Sequence, residues 1–113
     1  MMRIALYQMQ ARAGDRAGNL ARIDAAAKKA AAKGCNLIVA PELAIPGYGA
    51  GEAFAALATP AEGDDVKALE NIARRHGIAV AAGFAEREDM CVFNSAALVD
   101  GQGLRRVYRK SHL

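Results

Sequence analysis

The order of apolar segments predicts an α/β fold, and three observations carry that reading. A strand-like start at Arg3–Met9 and an apolar run at Asn36–Ala40 flank a helical stretch, which makes a β-α-β unit. A second helical stretch stops at Gly77 and leads straight into a third strand. Two more strands then follow one another with only turns between them, as hairpins do.

Each element has its own signal. After the first strand, Gly14-Asp15 and Gly18-Asn19 mark a turn and a helix start. Leu20, Ile23, Ala27 and Ala30 share one helical face, while Arg22, Lys28, Lys29 and Lys33 lie mostly elsewhere. A helix over 18–33 follows, closed by Gly34. The short apolar run through Leu37-Ile38-Val39-Ala40 suits a strand covered on both faces, parallel to the first. Residues 41–63 hold Pro41, Pro46, Gly47, Gly49, Gly51, Pro60 and Gly63 and read as irregular, with a short helix over 52–58. Long loops inside small domains usually carry function. Asp64-Asp65 open a helix over 64–76, with Val66, Leu69, Ile72 and Ala73 on its apolar face. Arg74 and Arg75 suit its C-terminal dipole. Residues 78–85 read as the third strand, Glu86–Asp89 as a charged turn, and 91–99 as the fourth strand. Asp100-Gly101-Gln102-Gly103 is a hairpin turn, and 104–109 the fifth strand.

Composition narrows the function classes. The chain has 113 residues, 53% of them hydrophobic and 24% charged, which describes one globular domain. No apolar run reaches membrane-spanning length, and the N-terminus lacks a signal-peptide layout, so a cytoplasmic protein is expected. The net charge of +3 comes from Arg105, Arg106, Arg109 and Lys110, since the rest of the chain is slightly acidic. A nucleic-acid interface built on those four charges, with Tyr108 beside them, has no recognised motif to support it. Cys35 and Cys91 read as free structural thiols, and neither has metal-ligand spacing with His76 or His112. His76 reads as a helix C-terminal residue favoured by the dipole.

The most informative stretch is Pro41-Glu42, which leaves a buried strand and meets Leu43-Ala44-Ile45-Pro46-Gly47-Tyr48. Open α/β sheets place their chemistry at such carboxyl ends. Burial there would raise the pKa of Glu42 and suit it to proton transfer. A solvated loop glutamate is the alternative.

Three blocks then stand in order: Pro41-Glu42-Leu43 with Gly47-Tyr48, Phe93-Asn94-Ser95-Ala96, and Tyr108-Arg109-Lys110-Ser111-His112-Leu113. Together they resemble the N-terminal half of the nitrilase superfamily, the carbon–nitrogen hydrolases. The resemblance runs over essentially the whole chain. It implies a four-layer α-β-β-α sandwich, of which residues 1–113 supply about half. It also implies a Glu-Lys-Cys triad acting on a small amide or nitrile, with Glu42 as base and Lys110 as oxyanion partner. The family's cysteine and a second glutamate follow the lysine, so both are expected beyond residue 113. Cys91 precedes Lys110 and does not match the nucleophile, so the 113 residues alone are expected to be inactive. Tyr48 and His112 become candidate pocket residues, and Asn94 a hydrogen-bond organiser beside the site. No metal or organic cofactor is implied, nor a nucleic-acid or membrane partner, and the full-length protein is expected to form a homo-oligomer. Within the superfamily, the Gly47-Tyr48-Gly49 stretch and the compact loops look more like those of small-amide hydrolases than of true nitrilases. Nitrilase, carbamoyl-amine hydrolase and acyltransferase branches share the triad. A truncated or split chain with only a packing or assembly role is the non-catalytic alternative.

Overall fold

The computed structural model describes residues 2–47 and 52–110. Its elements are β1 (Ile4–Leu6), α1 (Arg16–Ala32), β2 (Leu37–Val39), α2 (Glu52–Ala56), α3 (Asp64–His76), β3 (Ala79–Glu88), β4 (Cys91–Val99) and β5 (Arg105–Arg109). The strands form a single five-stranded sheet in the order β1-β2-β3-β4-β5. β1, β2 and β3 run parallel, whereas β4 and β5 are antiparallel to their neighbours. The expected α/β order is therefore present, including the switch from crossovers to hairpins.

The helices start and stop where local chemistry allows. Asp15 caps α1, its carboxylate accepting from the Gly18 amide at 3.1 Å. The helix thus begins at Arg16, ahead of the expected Gly18-Asn19 start. α3 carries Asp64 and Asp65 in its first turn and Arg74, Arg75 and His76 in its last, complementing the helix dipole at both ends. Gly77 ends it in a left-handed conformation at φ 63° that a side chain would resist.

The two long helices pack together against one face of the sheet. Ile23 and Ala27 of α1 and Val66 and Leu69 of α3 share a single core with Ile38, Val80 and Phe84 of the sheet. The anticipated apolar faces of both helices are the buried ones. Polar contacts also tie α1 to α3. The Arg16 Nε donates to the buried Asp65, and Asp24 takes both Arg75 Nη1 at 2.7 Å and His76 Nε2 at 2.8 Å. Burial pushes the Asp65 carboxyl up, with the Arg16 guanidinium opposing it. His76 is thus both a helix-end residue and a bond between the helices.

The other face of the sheet is open and apolar. Ile4 is 51% exposed, Leu6 78% and Tyr108 70%. Register places them on one side with Leu37, Val39 and Leu98.

The short helix expected over 52–58 ends at Ala56, and three strands differ most from the expectation. β1 stops at Leu6, although the Tyr7 amide still donates to the Val39 carbonyl at 2.9 Å. β2 is confined to Leu37–Val39. β3 runs on to Glu88, so Glu86–Asp89 is not a turn. Glu86, Arg87 and Glu88 pair with Phe93, Val92 and Cys91, leaving Asp89-Met90 as the turn. Charge suggested a solvated turn, but the Glu86 side chain is buried against Arg109 and Ser95. Thr59 completes the free edge of this extension, bonding to Ala85 and Arg87 beyond the end of β2.

One polar side chain holds the loops that bear on the site. Asn19 of α1 is fully buried. Its Nδ2 donates to the Arg12 carbonyl at 2.9 Å and the Ile45 carbonyl at 2.8 Å, and its Oδ1 accepts from the Arg12 amide at 2.8 Å. It therefore joins the loop before α1 to the loop after β2. Asn19→Ala would strand the buried Ile45 carbonyl and release the Arg12 amide, at a cost of about 1–3 kcal/mol. Denaturant unfolding should show that loss, and an unshifted midpoint would count against this role.

Candidate functional site

Glu42 lies just past the end of β2, in a turn folded back over the sheet. Three bonds lay this turn along β3. The Ala40 amide donates to Ala81, the Gly83 amide to Pro41, and the Ile45 amide to Gly83, at 2.8, 3.2 and 3.1 Å. Leu43 takes a left-handed conformation, φ 51°, to close the turn. Glycine at position 83 permits this approach. A Cβ there would fall 2.3 Å from the Leu43 nitrogen and 2.9 Å from the Glu42 Cα, closer than real contacts allow. Gly83 lies on the open face of the sheet, between Ala81 and Ala85.

Lys110 and Asn94 reach Glu42 from across the sheet. The Lys110 Nζ donates to Glu42 Oε2 at 2.9 Å, and the Asn94 Nδ2 donates to Glu42 Oε1 at 3.0 Å. Asn94 is on β4, and the Lys110 amide donates to the Asn94 carbonyl at 2.9 Å, one step beyond the last registered pair of β4 and β5. Three residues distant in sequence thus meet at one end of the sheet.

The electrostatics differ from the expectation for Glu42. Its carboxyl is held below the usual carboxylate range, first by the bond from Lys110 and then by the bond from Asn94. Its side chain is 44% exposed, so desolvation is too weak to raise it. The anticipated upward shift is therefore reversed, because cation and amide outweigh burial.

Two hollows flank the carboxylate. One, of ≈ 430 Å³, lies over the open sheet face between Val39, Ala81, Asn94, Tyr108 and Lys110. The other, of ≈ 560 Å³, is lined by Met9, Gln10, Ala11, Pro41 and Glu42. Met9, Gln10, Gly83 and Tyr108 were not singled out as site residues from sequence. Only the alternation of β3 and β5 carries a trace of the last two. Tyr48 and His112, the other candidate pocket residues, lie outside the described residues.

Neither cysteine lines these hollows. Cys35 is half-buried and packs against the core. Cys91 is exposed at the start of β4, next to the Asp89-Met90 turn, so it is not a core residue. Among the described residues no three His, Cys, Asp or Glu side chains gather as a metal site. No described helix is long and apolar enough to cross a membrane.

A model of the carbon–nitrogen hydrolase family matches residues 3–113. The chain belongs to that family. A protein described as a hydrolase in the pqqF 5′ region of Pseudomonas protegens is 41% identical over 115 residues. An (R)-stereoselective amidase of a Pseudomonas species is 37% identical over 112 residues. Each alignment takes in 99% of this chain but 40% of the relative, so the chain spans less than half the length of these relatives. A solved glutamate-to-glutamine mutant of the amidase from Nesterenkonia sp. AN1 superposes with a TM-score of 0.86 at 34% identity. That match covers 100% of this chain and 45% of the amidase, whose active-site cysteine carries acrylamide by Michael addition. The α/β architecture is therefore that of nitrilase-superfamily amidases over the portion matched.

The site depends on Gly83 leaving room for the Glu42 turn. Gly83→Ala forces backbone against backbone and should cost about 1–3 kcal/mol, the usual range for overpacking. It should also speed amide exchange at Ile45, whose N–H bonds to residue 83. Hydrogen exchange read by NMR checks both. Wild-type protection at Ile45 would mean that the turn does not rest on this contact.

Proposed function

We propose that residues 1–113 are the N-terminal part of a single carbon–nitrogen hydrolase domain that converts a small carboxamide to a carboxylic acid and ammonia. The observation that supports this reading most is the convergence of Glu42, Lys110 and Asn94 on one point at the end of the sheet. The kinship with amidases points to a small amide, and the Glu-Lys-Cys triad is the mechanism we assign. Its cysteine, and the family's second glutamate, would come from chain beyond residue 113.

The residues fit the steps. Glu42 accepts the thiol proton as the thiolate attacks the amide carbon. The ammonium of Lys110 faces the negative charge that develops on the substrate oxygen. The tetrahedral intermediate collapses to a thioester, and Glu42 returns its proton to the departing ammonia. Water then attacks the thioester, with Glu42 taking a proton from it and passing one to the leaving thiol. Asn94 holds the Glu42 carboxylate towards Lys110. Covering the site would desolvate Glu42 and offset the downward pull on its pKa. Tyr48 and His112 are the proposed pocket residues. No metal or organic cofactor enters these steps. We assign the protein to the cytoplasm, and the full-length form to a homo-oligomer.

The open sheet face supports the four-layer arrangement. Ile4, Leu6 and Tyr108 would pack against a second sheet supplied by the rest of the domain. Purified alone, the 113 residues should therefore associate or aggregate. A stable monomer in light scattering would sink the half-sandwich reading.

Activity is tested in the complete protein by ammonia release from a small carboxamide. Glu42→Gln and Lys110→Ala should each lower turnover at least about a hundredfold, the scale for losing a general base or an oxyanion partner. Cys91→Ala should leave it unchanged. Near-normal turnover in Glu42→Gln would favour the non-catalytic packing role instead.

A further inference from the structure

We infer that Arg109, gripped by the buried Glu86, is a positioning residue that sets Lys110 against Glu42 from the opposite side of the sheet. Its catalytic meaning rests on the hydrolase reading above, but the geometry stands without it.

The grip is tight and two-pronged. Arg109 Nε donates to Glu86 Oε1 at 3.0 Å, and Arg109 Nη2 donates to Glu86 Oε2 at 2.9 Å. Such a fork fixes orientation as well as distance. The Ser95 hydroxyl donates to Glu86 Oε1 at 2.7 Å, which holds the carboxylate in turn. The Glu86 side chain is 4% exposed, whereas Arg109 is 36% exposed. The guanidinium lies 4.0 Å from the centre of the Phe93 ring, and its Nη2 also reaches Glu88 at 2.8 Å. Ser95, Phe93, Glu86 and Arg109 all lie on the helix side of the sheet, by register.

Alternation transmits this grip to the other face. Successive side chains on a strand point to opposite sides. With Arg109 pinned towards the helices, the next residue is aimed at the open face, where Glu42 waits. Among the described residues, the backbone of Lys110 bonds there to the Asn94 carbonyl. The end of β5 would fray without a side-chain anchor, and a long lysine on a frayed end loses its place.

Among the described residues, the groups that face Glu42 are the Lys110 ammonium from the end of β5 and the Asn94 amide from β4. Losing the ammonium raises the Glu42 midpoint, since that bond is the main cause of its depression. Glu86→Gln removes a negative charge, and its direct field effect would lower the midpoint. Arg109→Lys changes no charge but cannot form the fork. Positioning therefore demands that both raise the midpoint, against or without a direct charge effect.

The experiment is a carboxyl ¹³C titration of Glu42 in the complete protein, for wild type, Glu86→Gln, Arg109→Lys and Lys110→Met. Both clamp variants should shift Glu42 upward, towards the value in Lys110→Met. Turnover on a small carboxamide should fall by about a hundredfold, the scale for a misplaced reacting group, with KM little changed. A Glu42 midpoint that stays or falls in Glu86→Gln, while Lys110→Met raises it, overturns the inference. Should Glu86→Gln fail to fold, an unmoved midpoint in Arg109→Lys does the same. If Lys110→Met keeps full turnover, the hydrolase reading fails and the titration still decides the clamp.

Discussion

The close contact between the Glu42 turn and the backbone of β3 is the constraint on which the rest of the site depends. A chain leaving a parallel strand ordinarily departs from the sheet. Here it turns back and stays hydrogen-bonded to β3 through Pro41 and Ile45. That path exists because position 83 has no side chain. Asn19 secures the far end of the same turn from the helix layer, through the Ile45 carbonyl. Glu42 is thus placed by backbone contacts on two layers, and its side chain needs only to reach out. A carboxylate held in this way keeps its position whether or not it is protonated.

The end of the sheet carries carboxylate–cation pairing on both faces, and the two faces differ in kind. Glu86 and Arg109 form a fork on the helix side with the carboxylate withdrawn from water. Glu42 and Lys110 form a single contact, with both side chains nearly half exposed. A single exposed pair is weakly held and easily rearranged by solvent. A fork on a buried carboxylate is rigid, and removing either partner leaves the other badly placed. Rigidity on one face and adaptability on the other would suit the proton exchange proposed for Glu42. The same contrast shows in the pKa directions. Glu86 is lowered mainly by Arg109, and Glu42 mainly by Lys110, so both carboxyls are ionised near neutral pH.

What the sequence made legible follows from periodicity. α3 was readable because apolar spacing, an acidic start, a basic end and Gly77 all agree. The Glu42–Lys110 meeting was legible only through family resemblance, since nothing local to either residue names the other. Asn19 was marked as a helix-start signal, yet its bonds go to loops reached only in three dimensions. Glu86 was misread for a related reason. A charged residue in a charged run looks solvated until its partner, far along the chain, folds beside it. The direction of the Glu42 pKa shift failed because a strand end was equated with burial. Exposure of that side chain and the approach of Lys110 are tertiary facts.

β5 shows how charge can set a register that hydrophobicity leaves open. Its sequence, Arg-Arg-Val-Tyr-Arg, puts one apolar or aromatic residue on each face. A slip by one residue would reverse the faces, and the Val107/Tyr108 exchange alone would oppose it weakly. The arginines discriminate far more strongly. Arg105 meets Glu70 of α3 through Nε at 3.1 Å and Nη2 at 2.6 Å, and Arg109 meets Glu86 through a second fork. A slip in one direction would set Tyr108 against Glu86 and leave that carboxylate buried without a cation, and a slip in the other would bring Lys110, which cannot form the fork. The two pairs stand at the two ends of the strand, so neither end can move without breaking one. Register and the placement of Lys110 therefore share a cause. Arg105 and Arg109, which read as part of a basic patch in the linear sequence, act as fixed pins, and Lys110 beside them faces Glu42.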